Sequence, residues 1–343
     1  MHYVKEFEED LANNLLQLRI NLLFHSYNPK PLETFIVKDP KTRKISKSSF
    51  EDRVVHHALV RILESIFDKI FIYDSYANRK GKGTLAALKR FDVFKRKLSK
   101  NGKLNEWFNN NKIKGYVLKA DIKHYFETIS HDILLNILKK RVKCNKTIWL
   151  IKKILDNYQE GEVNIGMPLG NLTSQFFANV YLNELDYFVK YELRIKCYIR
   201  YVDDFVILSN SKEELFIIKE KINNFLKEKL NIELHQDKSR IIPIGKGIPF
   251  LGFRIFYYYK LLKKFNRKNI LFGLNKFYKL YLIRLANYDQ FYESIQGSFT
   301  YIIYANTYLF RKKILRKIEY YFSKEISSIE VNRYLKLLKN NKP

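Results

Sequence analysis

Cys197-Tyr198-Ile199-Arg200-Tyr201-Val202-Asp203-Asp204-Phe205-Val206-Ile207-Leu208 is the stretch on which the fold turns. Two short runs of strand-forming residues flank a pair of aspartates, which predicts a β-hairpin with the charged pair at its tip. Adjacent carboxylates repel, so such a tip is destabilised unless something cationic sits beside it. Mg²⁺ is the usual choice, a hard ion that takes oxygen ligands and keeps water or phosphate for the rest of its shell. Read alone, the dipeptide also fits a solvated turn, because Asp favours turns for local reasons. The surrounding chain decides between the two.

A chain of 343 residues has room for more than one domain or subdomain. Lys and Arg outnumber Asp and Glu by 63 to 35, and the resulting net charge of +28 calls for a polyanion or an anionic surface as partner. Aromatic residues make up 15% of the chain and are interleaved with the bases, which favours nucleic acid. Rings and Arg planes stack on bases while Lys and Arg neutralise phosphates. The wealth of Lys, Asn, Ile, Phe and Tyr fits an AT-rich coding sequence, yet base composition does not explain the scarcity of acidic residues. Cys144 and Cys197 are too few for a disulfide framework or a Cys-rich zinc site. No segment reaches the roughly 18 uninterrupted apolar residues of a membrane span. The polar, acidic stretch from Met1 to Asp10 is unlike a signal peptide. A soluble intracellular protein is expected.

Working outward, Glu6 to about Phe24 reads as one amphipathic helix with Leu11, Leu15, Leu18 and Leu22 on a face. A Lys- and Pro-rich loop covers Asn28 to Lys47. A helix from Phe50 to about Phe67 carries His56 and His57 and precedes the basic loop Arg79-Lys80-Gly81-Lys82-Gly83. His56, His57, His124 and His131 lack ligand-like spacing and read as structural or RNA-facing. Helices and strands then alternate to about Phe256, beyond which the chain turns helical and basic. This mixed order indicates an α+β sheet domain flanked by helical parts.

Two further features bear on chemistry. Gly115 to Ala120 reads as an apolar strand that ends in Asp121, at a sheet rim where sites tend to form. Placed beside the hairpin, Asp121, Asp203 and Asp204 would converge. Three such carboxylates can hold two Mg²⁺ ions about 3.5–4 Å apart for phosphoryl transfer. Gly166-Met167-Pro168-Leu169-Gly170-Asn171-Leu172-Thr173-Ser174-Gln175 leads into an apolar helix from Phe176 to Leu185. Its glycines permit close backbone approach, and its hydroxyls can cap the helix. By itself this segment fits a substrate platform or an ordinary capping loop equally.

In combination, Asp121 to Phe126, Gly166 to Gln175, Tyr201-Val202-Asp203-Asp204, Lys238 and Phe250-Leu251-Gly252 resemble the palm of a reverse transcriptase. The resemblance covers about residues 30–260. It implies a right-hand polymerase with fingers at 1–114, a palm with a ferredoxin-like antiparallel sheet at 115–258, and a helical thumb at 259–343. It further implies that Asp121, Asp203, Asp204 and the Ile122 carbonyl hold two Mg²⁺ ions. Lys238 matches the residue thought to protonate pyrophosphate. Phe126 matches the aromatic that blocks a ribose 2′-hydroxyl, although it also fits ordinary core. Arg43, Lys38 and Arg79 resemble finger residues that grip nucleotide or template. Ser174, Gln175, Tyr201 and the primer-grip run Phe250, Leu251 and Gly252 would contact nucleotide, primer or template.

Within that family, Leu169-Gly170-Asn171-Leu172-Thr173-Ser174-Gln175 is similar to the signature of diversity-generating retroelement enzymes, as are Asp52 to Ala58 and Ile72 to Ala77. Most other reverse transcriptases carry Gln where Leu169 stands, and Asn78 departs from the group's usual small residue. The resemblance implies a cytoplasmic enzyme of bacterial or phage origin. It would copy template RNA with deoxynucleoside triphosphates and err at template adenines, assisted by a small basic accessory oligomer. An antiphage-defence reverse transcriptase is the alternative. A group II intron enzyme is not expected, since no room follows the thumb for DNA-binding and nuclease regions. A silent RNA-binding scaffold is disfavoured by three retained, mutually repelling carboxylates.

Overall fold

A computed structural model of the chain describes residues 2–38, 42–103, 113–158, 162–323, 325, 326, 329 and 331. Packing divides the chain into two units, Met1–Phe94 with Val117–Ile241, and Lys95–Tyr116 with Ile242–Pro343. Most of the expected fingers and palm contribute to the first unit, and the expected thumb lies in the second.

The chain starts with α1 (His2–Glu9) and α2 (Leu11–Leu23), followed by an antiparallel hairpin of β1 (Glu33–Val37) and β2 (Arg43–Lys47). Next come α3 (Phe50–Phe67), α4 (Thr84–Leu98), β3 (Tyr116–Ala120), α5 (Tyr125–Thr128), α6 (His131–Lys139) and α7 (Asn145–Asp156). They are followed by α8 (Leu172–Tyr187), β4 (Tyr198–Tyr201), β5 (Asp204–Ser209), α9 (Lys212–Leu230) and β6 (Arg240–Pro243). The strands form a four-stranded sheet in the order β4-β5-β3-β6, which places β3 directly beside the aspartate hairpin. Helix ends obey ordinary capping chemistry. The Ser49 hydroxyl accepts from Asp52 N at the start of α3, and Ser211 does the same for Glu214 N at the start of α9. Asn231 closes α9 with a left-handed φ of 51°.

α8 forms the spine of this unit. All its residues are buried except Leu172, Gln175, Glu184 and Tyr187, as befits a helix apolar on every side. Phe177, Val180, Tyr181, Leu182 and Leu185 are each fully enclosed, as are Phe205, Val206 and Ile207 of β5. The expected single helix from Glu6 to Phe24 is instead two. Asp10 breaks it with φ −130°, and its carboxylate accepts from the Asn13 side chain, the local competition that makes Asp a poor helix interior residue. No residue of α2 is buried, so its leucine spacing does not face a core. Phe7 of α1 does pack, with its ring edge-on to Phe50 of α3 at 5.2 Å.

The second unit contains an antiparallel sheet of β7 (Ile248–Phe250), β8 (Phe253–Ile255) and β9 (Lys260–Leu262), then α10 (Lys264–Leu282), α11 (Tyr288–Ile302) and α12 (Tyr308–Tyr321). None of the described helices is long and apolar enough to cross a membrane. Arg311 of α12 is buried, and neither its Nε nor its Nη1 has a hydrogen-bond partner. Burial pushes this guanidinium's pKa down, a sign that the charged form is held at a cost. Arg311→Met keeps the aliphatic stem and removes the uncompensated charge. The expected outcome is a gain of about 1–2 kcal/mol in a denaturant titration; a lower midpoint would show that the guanidinium is satisfied in solution.

Candidate active site

Tyr201 pairs with Asp204 across β4 and β5, leaving Val202 and Asp203 as a two-residue hairpin loop. Val202 takes φ +55°. Two-residue hairpin loops demand positive φ, which suits Gly or Asn and strains a β-branched residue. The loop projects Asp203 toward Asp121, which follows β3 directly. Burial first, then the charge of Asp121 and then that of Asp204, pushes the Asp203 carboxyl from an ordinary 3.8 up to about 7. Two carboxylates so placed retain a proton unless a cation replaces it.

Two of the carboxylates have lysine partners. Asp204 pairs with Lys119 Nζ at 2.8 Å, and Lys238 Nζ lies 2.7 Å from Asp121 Oδ2. Among the described residues, no three acidic, His or Cys side chains form a metal-sized cluster. Asp204 and Asp121 thus each have a lysine partner, while Asp203 faces Asp121, and these carboxylates are the hard oxygen donors that a divalent cation would meet. Sequence reading overlooked Lys119. Ile122 is buried and its backbone bridges Leu234. The Asp121 carbonyl accepts from His235 N at 2.8 Å, which ties the segment carrying Lys238 to the end of β3.

A second cluster surrounds the Gly166–Gln175 loop. The Phe126 carbonyl accepts from Met167 N at 2.7 Å, and the Leu169 carbonyl accepts from Ser46 N of β2 at 2.9 Å. Asn171 Oδ1 accepts from Ser48 N at 3.1 Å. These bonds join the Phe126 helix, the loop and the β1–β2 hairpin into one assembly. Gly170 is required here: its φ is +120°, and a Cβ would stand 2.8 Å from Ile45 Cγ2. Phe126 is half-buried, its ring edge-on to Tyr125 at 5.5 Å. Leu169 and Gln175 are half-buried and Ser174 is buried. Tyr201 is half-buried, with its hydroxyl accepting from Thr84 at 3.3 Å. Arg43 and Lys38 are exposed on the hairpin.

Arg79 is placed differently from its expected nucleotide contact. Its Nε pairs with Asp68 at 2.6 Å, and Nη1 donates to the Ile72 and Ser75 carbonyls at 2.7 and 3.1 Å. The fork braces its own loop. In the second unit, Phe250 is core, while Leu251 and Gly252 form the tight β7–β8 turn, whose Leu251 carbonyl accepts from the Tyr301 hydroxyl at 3.2 Å. The histidines are structural as expected where buried. Burial pushes His56 down to about 4, and His131 Nε2 donates to the Gly166 carbonyl at 2.7 Å. Sequence reading missed Lys119, Asp186 and Arg200; the last stands in the quoted hairpin and its buried cation is the signal that was available.

The sequence matches the family described as "Reverse transcriptase (RNA-dependent DNA polymerase)" over residues 36–255, more than half of the chain. The chain belongs to the reverse transcriptase family. It is 26% identical to the group II intron-encoded protein LtrA of Lactococcus lactis subsp. cremoris, over 73% of this chain and 50% of that protein. Protein YkfC of Escherichia coli is 25% identical over 71% of this chain and 72% of its own length. The chain thus spans about half the length of LtrA. A solved telomerase from Candida albicans, in complex with a TWJ fragment of telomeric RNA, aligns at 12% identity with TM-score 0.54. That alignment covers 91% of this chain and 58% of the telomerase, and shows a shared reverse transcriptase fold of right-hand type.

Proposed function

We propose that this reverse transcriptase family member is an RNA-directed DNA polymerase whose reaction centre is the Asp121–Asp203 pair. The convergence of these two carboxylates, with the hairpin that carries Asp203 beside the strand that leads to Asp121, carries the reading. A divalent cation held by Asp121 and Asp203 would neutralise charge on a triphosphate and on an attacking 3′-oxygen. The chain's own residues do the rest. Lys238 Nζ lies 2.7 Å from Asp121 Oδ2, and its role is to protonate a pyrophosphate leaving group beside that carboxylate. Arg43 and Lys38 offer cationic donors for phosphate on the hairpin to which the Leu169 loop is bonded. Primer extension on an RNA template with Mg²⁺ and deoxynucleotides tests the proposal. Failure of the wild-type protein to exceed Asp203→Ala, with any accessory protein supplied, would reject it.

Phe126 sits where its carbonyl is tied to the substrate loop, which supports its role as the block on the ribose 2′-hydroxyl. Phe126→Val is expected to raise ribonucleotide incorporation by about tenfold or more relative to deoxynucleotide, an effect of about 1.4 kcal/mol or more. Competition between the two nucleotide types in single-turnover extension measures it, and an unchanged ratio would reassign Phe126 to core packing.

The finer reading is the error-prone polymerase of a diversity-generating retroelement, working with a template RNA and a small basic accessory oligomer. Leu169 supports it. A Gln at this position could hydrogen-bond near the incoming sugar, and an aliphatic side chain gives up that contact. Because the Leu169 carbonyl makes the bond to Ser46, Leu169→Gln varies the side chain alone. Misincorporation opposite template adenine is expected to fall about tenfold in Leu169→Gln, consistent with one hydrogen bond of discrimination. Equal adenine errors in the two proteins would remove Leu169 from the account.

A further inference from the structure

Arg200 is the largest side chain fully enclosed in the first unit, with 0% exposure. Its Nε and Nη2 donate to the two oxygens of Asp186 at 2.7 and 2.6 Å, a bidentate pair shut away from water. Asp186 Oδ1 also accepts from the Tyr198 hydroxyl at 2.7 Å. The remaining reach of the guanidinium is spent outside this pair. Nη1 donates to Asn179 Oδ1 at 3.1 Å and to the Val202 carbonyl at 3.0 Å. The Asn179 amide nitrogen donates in turn to the Ala77 carbonyl at 2.9 Å, which fixes which end of the amide faces the arginine. Arg200 is gripped by its backbone as well: its N donates to the Asp74 carbonyl, and its carbonyl accepts from Tyr76 N, each at 3.0 Å.

Stability alone does not call for this arrangement, because a buried ion pair is often matched or bettered by apolar residues of similar volume. What the apolar alternative lacks is a donor for Val202. That carbonyl belongs to the strained residue of the hairpin loop, one position before Asp203. A left-handed valine relaxes unless its surroundings hold it. Relaxation would rotate the peptide that carries Asp203 away from Asp121. We propose that Arg200 is a positioning residue: through the Val202 carbonyl it holds the left-handed turn, and so aims Asp203 at Asp121. The proposal rests on the polymerase reading for its kinetic consequences alone. Lysine cannot substitute, since a point cation cannot fork onto Asp186 and reach the turn at once.

The test compares wild type with Arg200→Lys and with the apolar triple variant Tyr198→Phe, Asp186→Leu, Arg200→Met. Both are checked for a cooperative melt before use. In folded variants, the single-turnover rate of primer extension is expected to fall roughly 100-fold, the effect of a misaimed catalytic group. Affinity for template–primer should stay within about threefold, well under one decade of binding free energy. Mn²⁺ binding to substrate-free protein, read from the paramagnetic resonance of the free ion, should weaken about tenfold, or 1.4 kcal/mol. Wild-type extension rates and Mn²⁺ affinity in either folded variant would overturn the proposal and leave Arg200 as core. An unfolded triple variant beside an Arg200→Lys protein of wild-type behaviour would overturn it equally. If wild type itself extends no primer, the polymerase reading fails, and the Mn²⁺ comparison still decides the role of Arg200.

Discussion

Asp203→Asn is expected to abolish primer extension and, in metal-free buffer at pH 8, to melt at a higher temperature than wild type. Loss of a carboxylate that can hold a catalytic cation removes several kcal/mol of transition-state stabilisation, or about a thousandfold in rate. The gain in stability has a separate origin. In the folded protein desolvation, and then the charge of Asp121, pushes the half-buried Asp203 carboxyl from an ordinary 3.8 up to about 7. Folded protein therefore keeps this proton more tightly than the unfolded chain. The associated stability is fully present below about 3.8 and is lost as pH rises through about 7. A shift of this size sets an upper bound on the order of 4 kcal/mol, at about 1.4 kcal/mol per pH unit. Asparagine carries no charge to desolvate, so the variant should show a flatter melting profile between pH 4 and pH 8. Melts across that range with a chelator present measure both effects. A variant that melts below wild type at pH 8 would show that the two carboxylates are not in conflict.

The largest structural effect is expected at Asp186, far in sequence from the reaction centre. Asp186→Ala leaves the Arg200 guanidinium enclosed without its counter-charge and deprives the Tyr198 hydroxyl of its acceptor. Breaking one side of a buried pair typically removes about 3–5 kcal/mol. Arg200 has no route to water, since both side chains show 0% exposure. Urea unfolding followed by circular dichroism should show this as a large drop in midpoint. A loss under about 1 kcal/mol would mean that water enters and solvates the arginine. The contrast with the apolar triple variant is informative: removing one charge should damage the fold, whereas removing both should spare the fold and impair the reaction.

Much of the reaction centre was legible because its signals are local. Alternation around Asp203 and Asp204 marks a hairpin, and the structure pairs Tyr201 with Asp204 as the two-residue loop requires. The apolar run before Asp121 becomes β3, and the continuous apolar stretch after Gln175 becomes the enclosed α8. The illegible part depends on which partner a side chain finds. Nothing in the spacing of Asp204 shows that Lys119, on a neighbouring strand, will take it rather than leave it with Asp121. Arg79 sits in a loop whose composition suggests an outward cation, yet Asp68 and two carbonyls lie within reach and claim it. The leucines of α2 have the period of a buried face, but period states only that a face exists, and no partner element covers this one. In the sequence Arg200 is one strand residue among several; its weight appears only when Asn179, Asp186 and the turn are seen around it.

α8 touches both ends of the machinery. Its N-terminus carries Gln175 beside the Gly166–Gly170 loop, its middle presents Asn179 to Arg200 and Ala77, and Asp186 near its far end closes the ion pair. For protein engineering this means that segments 74–77, 172–187 and 198–204 form one cassette. Shuffling any of them singly between homologues would pair an arginine, an amide or a carboxylate with a stranger. A chimaera that moves all three together keeps Arg200, Asn179, Asp186 and Tyr198 with their own partners, so recombination breakpoints belong outside these segments.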